Sequence, residues 1–133
     1  MKIAVLGGGH GCYAAAADLA EQGHEVRLWR RDQAAFEPVR ATGAITLVDH
    51  RGARAVPIAN ATLDIGEALR GAELILVALP ATAQEDIARA MAPHLTDGQV
   101  VFLPPGSFGS YVMAEIARKA GSRAEITYAE TGT

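Results

Sequence analysis

A short apolar segment at the start of the chain runs directly into a cluster of glycines, and this combination restricts the fold more than any other feature. Lys2 to Leu6 is an almost continuous apolar run of the kind found in buried strands. It is followed by Gly7-Gly8-Gly9-His10-Gly11-Cys12, and Gly11 to Gln22 then has the alanine-rich composition of a helix closed by Gly23. Glu25 to Trp29 predicts a second strand. A strand, a glycine turn, a helix and a strand within roughly 30 residues indicate a parallel βαβ unit.

The rest of the sequence continues this alternation of short apolar runs and helical patterns. The predicted strands are Glu73–Leu79, Gln99–Leu103 and Ala124–Tyr128, and the predicted helices are Gln33–Ala41, Ile65–Arg70, Thr82–His94 and Phe108–Ala120. Asp64 is expected to cap the helix Ile65–Arg70, with Glu67 at the capping-box position. Ala44–Val48 and Ala53–Pro57 flank Asp49–Gly52, which predicts a β-hairpin. We therefore expect an α/β fold: a Rossmann-type, doubly wound, mostly parallel sheet with a small β-hairpin insert after the second helix.

Size and composition indicate one domain and exclude several classes of function. The 133 residues are 50% hydrophobic, which is enough for a single core. The net charge is −3 and basic residues are interspersed with acidic ones, unlike a nucleic-acid-binding surface. No apolar run approaches the ~20 residues of a membrane span, and no leader pattern precedes the first strand. We expect a cytoplasmic location and neither nucleic acid nor membrane as a partner.

One cysteine, Cys12, excludes an internal disulfide and a multi-cysteine metal site, so no metal site is predicted.

The glycine cluster predicts a binding site for the diphosphate of a dinucleotide. Gly7 allows a sharp turn off the strand, and Gly9 lets the backbone approach the diphosphate closely. The N–H groups of residues 9–12 are expected to face the phosphates at the positive end of the helix. The site is therefore expected to contain Gly7, Gly8, Gly9, His10, Gly11 and Cys12. Cys12 replaces the usual third glycine, and a small buried packing residue fits that position better than a reactive thiol. The alternative is that these glycines only form a tight turn in a flavodoxin-like protein.

The end of the second strand indicates which nicotinamide cofactor is bound. NAD-binding domains place an acid there to hold the ribose 2′-hydroxyl, whereas NADP-binding domains use arginine for the 2′-phosphate. This chain has Arg30 and Arg31 at that point, and a planar guanidinium pairs well with phosphate. We expect NADP(H) to be preferred, with NAD(H) as the alternative. In that alternative both arginines are solvated and Asp32 reaches back to the ribose.

Two further strand ends are expected to line the same crevice. Leu79-Pro80-Ala81 follows one strand and Pro105 follows the next, and ligands of open α/β sheets lie outside such carboxyl ends. The presence of any one of these residues is explained equally well by the ordinary residue preferences of turns. Glu130 is the one acid expected near the nicotinamide end, and we interpret it as a solvated carboxylate. His24, His50 and His94 are expected at the surface.

The ordered set of motifs resembles the N-terminal NAD(P)-binding domain of the opine (octopine/nopaline) dehydrogenase family, which is related to glycerol-3-phosphate dehydrogenase and ketopantoate reductase. The matching segments are Val5–Gly11 with Ala14-Ala15, Gly43–Thr46, Asp64-Ile65, Glu73–Ala81, Pro105–Gly109 and Glu130-Thr131. Cys12 and Arg30 depart from the pattern of some relatives.

The resemblance implies an NAD(P)-dependent dehydrogenase that condenses an amino acid with a 2-oxo acid reductively. It also implies a second, mostly helical domain that supplies the catalytic histidine and much of the substrate site. Residues 1–133 are then the cofactor domain, no catalytic residue is assigned, and this segment alone is expected to be inactive. A small-molecule substrate is expected, and a homodimer is left open. The alternatives are a glycerol-3-phosphate or ketopantoate type of dehydrogenase domain, a dinucleotide-sensing regulatory module, and a remnant that binds nothing. Arg30 and the hairpin insert argue against the sensor.

Overall fold

The computed structural model describes residues 1–132 and shows six parallel strands in one sheet, with a separate two-stranded antiparallel sheet. The strands are β1 (Lys2–Leu6), β2 (Glu25–Trp29), β3 (Ala44–Asp49), β4 (Gly52–Pro57), β5 (Asn60–Thr62), β6 (Leu74–Leu76), β7 (Val100–Leu103) and β8 (Thr127–Glu130). The helices are α1 (His10–Glu21), α2 (Gln33–Thr42), α3 (Ile65–Leu69), α4 (Ala81–Met91) and α5 (Gly109–Lys119), and a single 3₁₀ turn covers Ala92–His94. Among the described residues, no helix has the length and apolar character needed to span a membrane.

The strand order creates a crevice at the carboxyl end of β1. The large sheet has the order β5-β2-β1-β6-β7-β8, so the chain first builds outward on one side of β1 and then on the other. Leu6 pairs with Trp29 of β2, and Val5 pairs with Leu76 of β6. A reversal of strand order of this kind leaves a gap between the diverging connections, where ligands bind. The predicted doubly wound sheet with a hairpin insert is confirmed.

Alternate residues of β1 pack into two separate hydrophobic clusters, one on each face of the sheet. Ala4 and Leu6 pack with residues of α3, α4 and α5 on one face. Ile3 and Val5 pack with residues of α1, α2 and the β3–β4 hairpin on the other. All four side chains are buried, as the two-residue period of a strand covered on both faces requires. Burial of each Val, Leu or Ile contributes about 1.5–3 kcal/mol, so both faces hold β1 in place.

Two strand predictions differ from the structure and one strand was not predicted, in each case because of pairing between distant segments. The predicted strand Glu73–Leu79 is shorter, Leu74–Leu76, because its partner β1 turns away at Gly7. The predicted strand Ala124–Tyr128 lies instead at Thr127–Glu130, in the register set by pairing with β7. The polar edge strand β5 was not predicted, since it is defined by its pairing with β2.

The helix predictions differ mainly at the ends. The predicted helix Thr82–His94 becomes α4 and then a 3₁₀ turn, because Pro93 has no N–H to continue the α-helical pattern. Asp64 caps α3 as predicted, accepting hydrogen bonds from the N–H groups of Gly66 and Glu67 at 2.8 and 3.3 Å. Glu67 does not complete a capping box, because its carboxylate accepts hydrogen bonds from Asn60 and Thr62 of β5.

Candidate cofactor-binding site

The turn between β1 and α1 requires glycine at its first position for two reasons. Gly7 has φ +127°, a conformation that L side chains rarely adopt. A Cβ at Gly7 would also lie 2.8 Å from the Cys12 sulfur and 2.5 Å from a methyl carbon of Leu79. The N–H of Gly7 donates to the carbonyl of Trp29 at 2.8 Å, which extends the β1–β2 ladder up to the turn. The backbone therefore leaves the sheet sharply at this residue.

The space above Gly9 is open, and the first N–H groups of α1 face it. No atom lies within 4 Å of a Cβ built on Gly9, and no side chain caps α1. Within residues 1–132 the N–H groups of Gly9, His10 and Gly11 donate no hydrogen bond, whereas that of Cys12 is used by the Gly9 carbonyl at 3.1 Å. Three free donors at the positive end of a 12-residue helix form a site that fits a diphosphate. Of the N–H groups of residues 9–12, which are predicted to face the phosphates, that of Cys12 is therefore already used within the turn.

The Cys12 side chain packs beneath this turn. The side chain is fully buried, and its sulfur lies within hydrogen-bond distance of the carbonyl oxygens of Leu6, at 3.5 Å, and Ala78, at 3.3 Å, so it joins the ends of β1 and β6. Burial raises the pKa of the thiol. This placement is that of a packing residue, as the sequence indicated.

Arg30 lies over Gly8, at the end of β2. A Cβ at Gly8 would overlap the side chain of Arg30, which Gly8 therefore accommodates. The guanidinium donates to the Tyr13 hydroxyl at 3.1 Å, and its carbon lies 5.8 Å from the centre of that ring, within cation–π range. Arg30 also borders a cavity of about 330 Å³, the Arg30 cavity, whose walls include Gly8, Gly9, Trp29, Asp32 and Leu79.

The neighbouring charged residues are placed differently from Arg30. The Arg31 side chain is 68% exposed and lies 3.6 Å from the Asp86 carboxylate, at the rim of the Arg30 cavity. Asp32 caps α2 by accepting from the N–H of Ala35 at 3.1 Å. Of these three residues, only Arg30 lies directly over the glycine turn, where its contact with Tyr13 of α1 holds it. This favours the interpretation in which Arg30, rather than Asp32, meets the ribose.

A second cavity lies on the other side of the turn. This Pro105 cavity has a volume of about 290 Å³ and is lined by Gly11, Leu79, Pro80, Ala81, Gln84 and Pro105, among others. Leu79 borders both cavities, and Gly9 and Gly11 lie where the two meet the first turn of α1. The structure thus brings the predicted strand-end residues to one crevice with the glycines, and His10 is exposed at the start of α1 beside them.

Glu130 is not the solvated carboxylate that the sequence suggested. It is half-buried at the end of β8, and its two oxygens accept from the N–H groups of Phe108 and Ser110, both at 2.9 Å. These hydrogen bonds, foremost the one from the Ser110 N–H, hold its pKa below the ordinary glutamate value. Ser107 and Phe108 have φ of +50° and +65°, a conformation that costs roughly 1–3 kcal/mol per residue. Glu130 therefore secures a strained segment that borders the Pro105 cavity.

Sequence reasoning missed Gln84. This residue lies on the buried face of α4 with Ile87, Ala88 and Met91, where the helical period calls for an apolar side chain. Its amide nitrogen donates to the carbonyl of Gly106 at 3.1 Å. The sequence alone could have indicated this residue, because an amide interrupts an otherwise apolar helix face. Such a polar group needs a hydrogen-bond partner inside the fold.

Sequence comparisons bear on the identity of this domain. A family model for the N-terminus of NAD-dependent glycerol-3-phosphate dehydrogenase matches residues 2–107. The chain is 40% identical over 107 residues to glycerol-3-phosphate dehydrogenase (NAD(P)+) of Nitratidesulfovibrio vulgaris strain DP4, covering 76% of this chain and 30% of that protein. It is 34% identical over 131 residues to opine dehydrogenase of Arthrobacter sp. strain 1C, covering 98% of this chain and 36% of that protein. The chain thus spans well under half the length of either relative.

Solved structures share the same fold. A ketopantoate reductase of the PanE/ApbA family from Ralstonia eutropha JMP134 superimposes with a TM-score of 0.77 at 26% identity, covering 97% of this chain and 40% of that one. Octopine dehydrogenase with NADH and L-arginine also has a TM-score of 0.77, at 22% identity, covering 96% of this chain and 34% of that one. The resemblance drawn from the motifs is confirmed, and the homologues are NAD(P)-dependent dehydrogenases. The chain belongs to the family of the N-terminal domain of NAD-dependent glycerol-3-phosphate dehydrogenase.

Proposed function

We propose that this chain is the cofactor-binding domain of a dehydrogenase and that it holds NADP(H) in preference to NAD(H). The observation that carries the proposal is the open space over Gly9, faced by three free N–H groups, beside an arginine fixed over Gly8. The N–H groups of residues 9–11 bind the diphosphate, and Arg30 pairs with the ribose 2′-phosphate. When bound, the nicotinamide cofactor carries the hydride chemistry, and the protein orients it.

The twelve residues proposed for the site act in four groups. Gly7, Gly8 and Cys12 shape the turn. Gly9, His10 and Gly11 offer N–H donors to the diphosphate. Arg30 and Arg31 supply positive charge on the side where the adenosine lies. The fourth group forms the apolar wall on the nicotinamide side: Leu79, Pro80, Ala81 and Pro105.

For the reaction we propose opine-type chemistry, the reductive joining of an amino acid to a 2-oxo acid. It is supported by the alignment with opine dehydrogenase, which runs through 98% of the chain and includes the segment from Ser107 to Glu130 at the Pro105 cavity. The second candidate is oxidation of glycerol 3-phosphate, which the 40% identity to a glycerol-3-phosphate dehydrogenase favours. We further propose that the catalytic group and most of the substrate site lie in a second domain, because the relatives are much longer than this chain.

Direct titration tests the cofactor proposal. Trp29 is the one tryptophan of the chain and borders the Arg30 cavity, so energy transfer from its ring to a reduced nicotinamide reports binding. We expect NADPH to bind more tightly than NADH, and Arg30→Gln to weaken NADPH by about 10- to 100-fold, the range of a lost hydrogen bond to a charged group. NADH should be little affected. Arg31→Gln is the matched control and should have a smaller effect. Equal affinities of the unchanged protein for the two cofactors would refute the 2′-phosphate role of Arg30.

Turnover distinguishes the two candidate reactions. We expect residues 1–133 alone to show no activity with either set of substrates. In the longer protein that the proposal requires, NADPH oxidation should depend on a 2-oxo acid together with an amino acid. Activity with glycerol 3-phosphate instead would replace the opine proposal with the second candidate and leave the cofactor proposal standing.

A further inference from the structure

Gln84 is a buried polar side chain in the wall of the Pro105 cavity, to which the sequence patterns assign no role. It is 6% exposed and lies on α4, among the apolar residues that pack against the sheet. Its amide nitrogen donates to the Gly106 carbonyl at 3.1 Å, and a Cβ at Gly109 would overlap the same amide. The loop from β7 to α5 therefore packs on Gln84 and fixes the orientation of its amide.

This orientation leaves the amide oxygen of Gln84 free. Within residues 1–132 the oxygen accepts no hydrogen bond, and no side-chain polar atom there is both sealed from solvent and unpartnered. The oxygen is thus not sealed from solvent, and the cavity that Gln84 lines is the Pro105 cavity. An acceptor held at one point of this wall is suited to a ligand that brings an N–H donor.

The position of this cavity indicates which part of the cofactor reaches it. Arg30 and the diphosphate site over Gly9 place the adenosine half on the β2 side of the turn. The Pro105 cavity lies on the opposite side, at the ends of β6 and β7, where the nicotinamide half extends. Leu79, Pro80 and Pro105 form an apolar surface suited to a flat ring, and the ring's carboxamide carries two N–H donors.

We propose that the amide oxygen of Gln84 accepts a hydrogen bond from the carboxamide of the nicotinamide ring, and so fixes which face of the ring is presented. This inference rests on the proposed function, because it requires that the chain bind a nicotinamide dinucleotide. Gln84 is then a binding residue for the cofactor, and its nitrogen holds the neighbouring loop at the same time.

The test compares NADP⁺ with its 3-acetylpyridine analogue, in which a methyl group replaces the carboxamide nitrogen. The unchanged protein should bind NADP⁺ about 3- to 10-fold more tightly, as one net hydrogen bond predicts. Gln84→Met removes the acceptor and should bring the ratio of the two dissociation constants close to one. A ratio that Gln84→Met leaves unchanged would overturn the inference, and so would an unchanged protein that binds the two ligands equally. Failure of the unchanged protein to bind either ligand would refute the proposed function itself.

Two further variants distinguish the proposed contact of Gln84 with the cofactor from its support of the loop between β7 and α5. Gln84→Lys keeps a donor for the Gly106 carbonyl but has no acceptor, so it too should lose the discrimination between NADP⁺ and its analogue. It provides the same test if Gln84→Met does not fold. Glu130→Gln weakens the hold on the same loop but leaves the Gln84 oxygen in place, so it should affect both ligands equally and keep the ratio. If Glu130→Gln abolishes the discrimination as fully as the Gln84 variants do, the loop rather than Gln84 is responsible.

Discussion

The side chain of Arg30 occupies the space that a Cβ at Gly8 would need, while the equivalent space at Gly9 is empty. The two adjacent glycines are therefore needed for different reasons. Gly8 makes room for a side chain of the protein, which its hydrogen bond to the Tyr13 hydroxyl holds in position. Gly9 leaves open the space that we propose for the diphosphate. Substituting each glycine in turn should therefore distinguish the contribution of Arg30 to cofactor affinity from that of the diphosphate site.

Gly9→Ala should leave the protein folded and impair cofactor binding. A methyl group meets no atom within 4 Å and the backbone φ of −79° is normal for alanine, so the melting temperature should be nearly unchanged. The methyl would point into the diphosphate site, and loss of one charge-assisted hydrogen bond lowers affinity about tenfold or more. NADPH and NADH should weaken together in a fluorescence titration, because both carry the diphosphate. Undiminished affinity would show that the diphosphate lies elsewhere.

Gly8→Ala should instead change the preference between cofactors. Its methyl group would displace the flexible end of Arg30, so we expect NADPH to weaken several-fold while NADH binding is retained. The same titration measures both constants. A parallel loss of the two cofactors would indicate that residue 8 itself contacts the diphosphate.

Cys12 should not react with thiol reagents in the native protein. The sulfur is fully buried, and burial raises the pKa of the thiol, so little thiolate is present near neutral pH. Labelling with a disulfide reagent should proceed only after unfolding in denaturant, which also provides the positive control. Rapid labelling of the folded protein would contradict the packing role.

Glu130 should stabilise the fold in a manner that depends on pH. Its pKa is lowered in the folded protein, so its contribution to the free energy of unfolding is present above the ordinary value of 4.5 and is lost as the pH falls through the lowered value. Glu130→Gln should lower the melting temperature at neutral pH, and its difference from the unchanged protein should shrink as the medium becomes acidic. Glu85→Gln, which removes an exposed pair with Arg89 on α4, is the control and should change the melting temperature little, because such pairs contribute little. A pH-independent difference would remove the electrostatic explanation.

Arg54 should link the β3–β4 hairpin to the rest of the domain. It donates to the Glu21 carboxylate at 2.7 Å and to the Asp49 carboxylate at 2.9 Å, joining α1 to the hairpin. The hydrogen bond from Arg54 to Asp49, with a further one from the Arg51 N–H, lowers the pKa of Asp49 to about 2. Arg54→Met should raise the pKa of Asp49 toward 3.8, as an NMR titration would measure, and lower the melting temperature. Arg40→Met removes an exposed pair within α2 and should do neither, because such pairs contribute little. An unchanged Asp49 pKa would show that the contact is absent in solution.

Much of the fold could be predicted from local sequence, because the signals are short-range. The apolar run before Gly7 and the alanine-rich segment behind it define the first βαβ unit, and the turn at Asp49–Gly52 defines the hairpin. A two-residue period, a helical period and the steric freedom of glycine are properties of neighbouring residues. The prediction of a dinucleotide site at the first turn rests on them.

The tertiary structure alone decided how distant residues meet at that site. Glu130 caps a segment 20 and 22 residues earlier in the chain because the register of β8 against β7 brings it there. Gln84 faces Gly106 because β6 and β7 are neighbours, and Arg30 reaches Gly8 because β1 and β2 end side by side. Such contacts depend on strand order and register, which are set by packing of the whole core. No local pattern in the sequence specifies them.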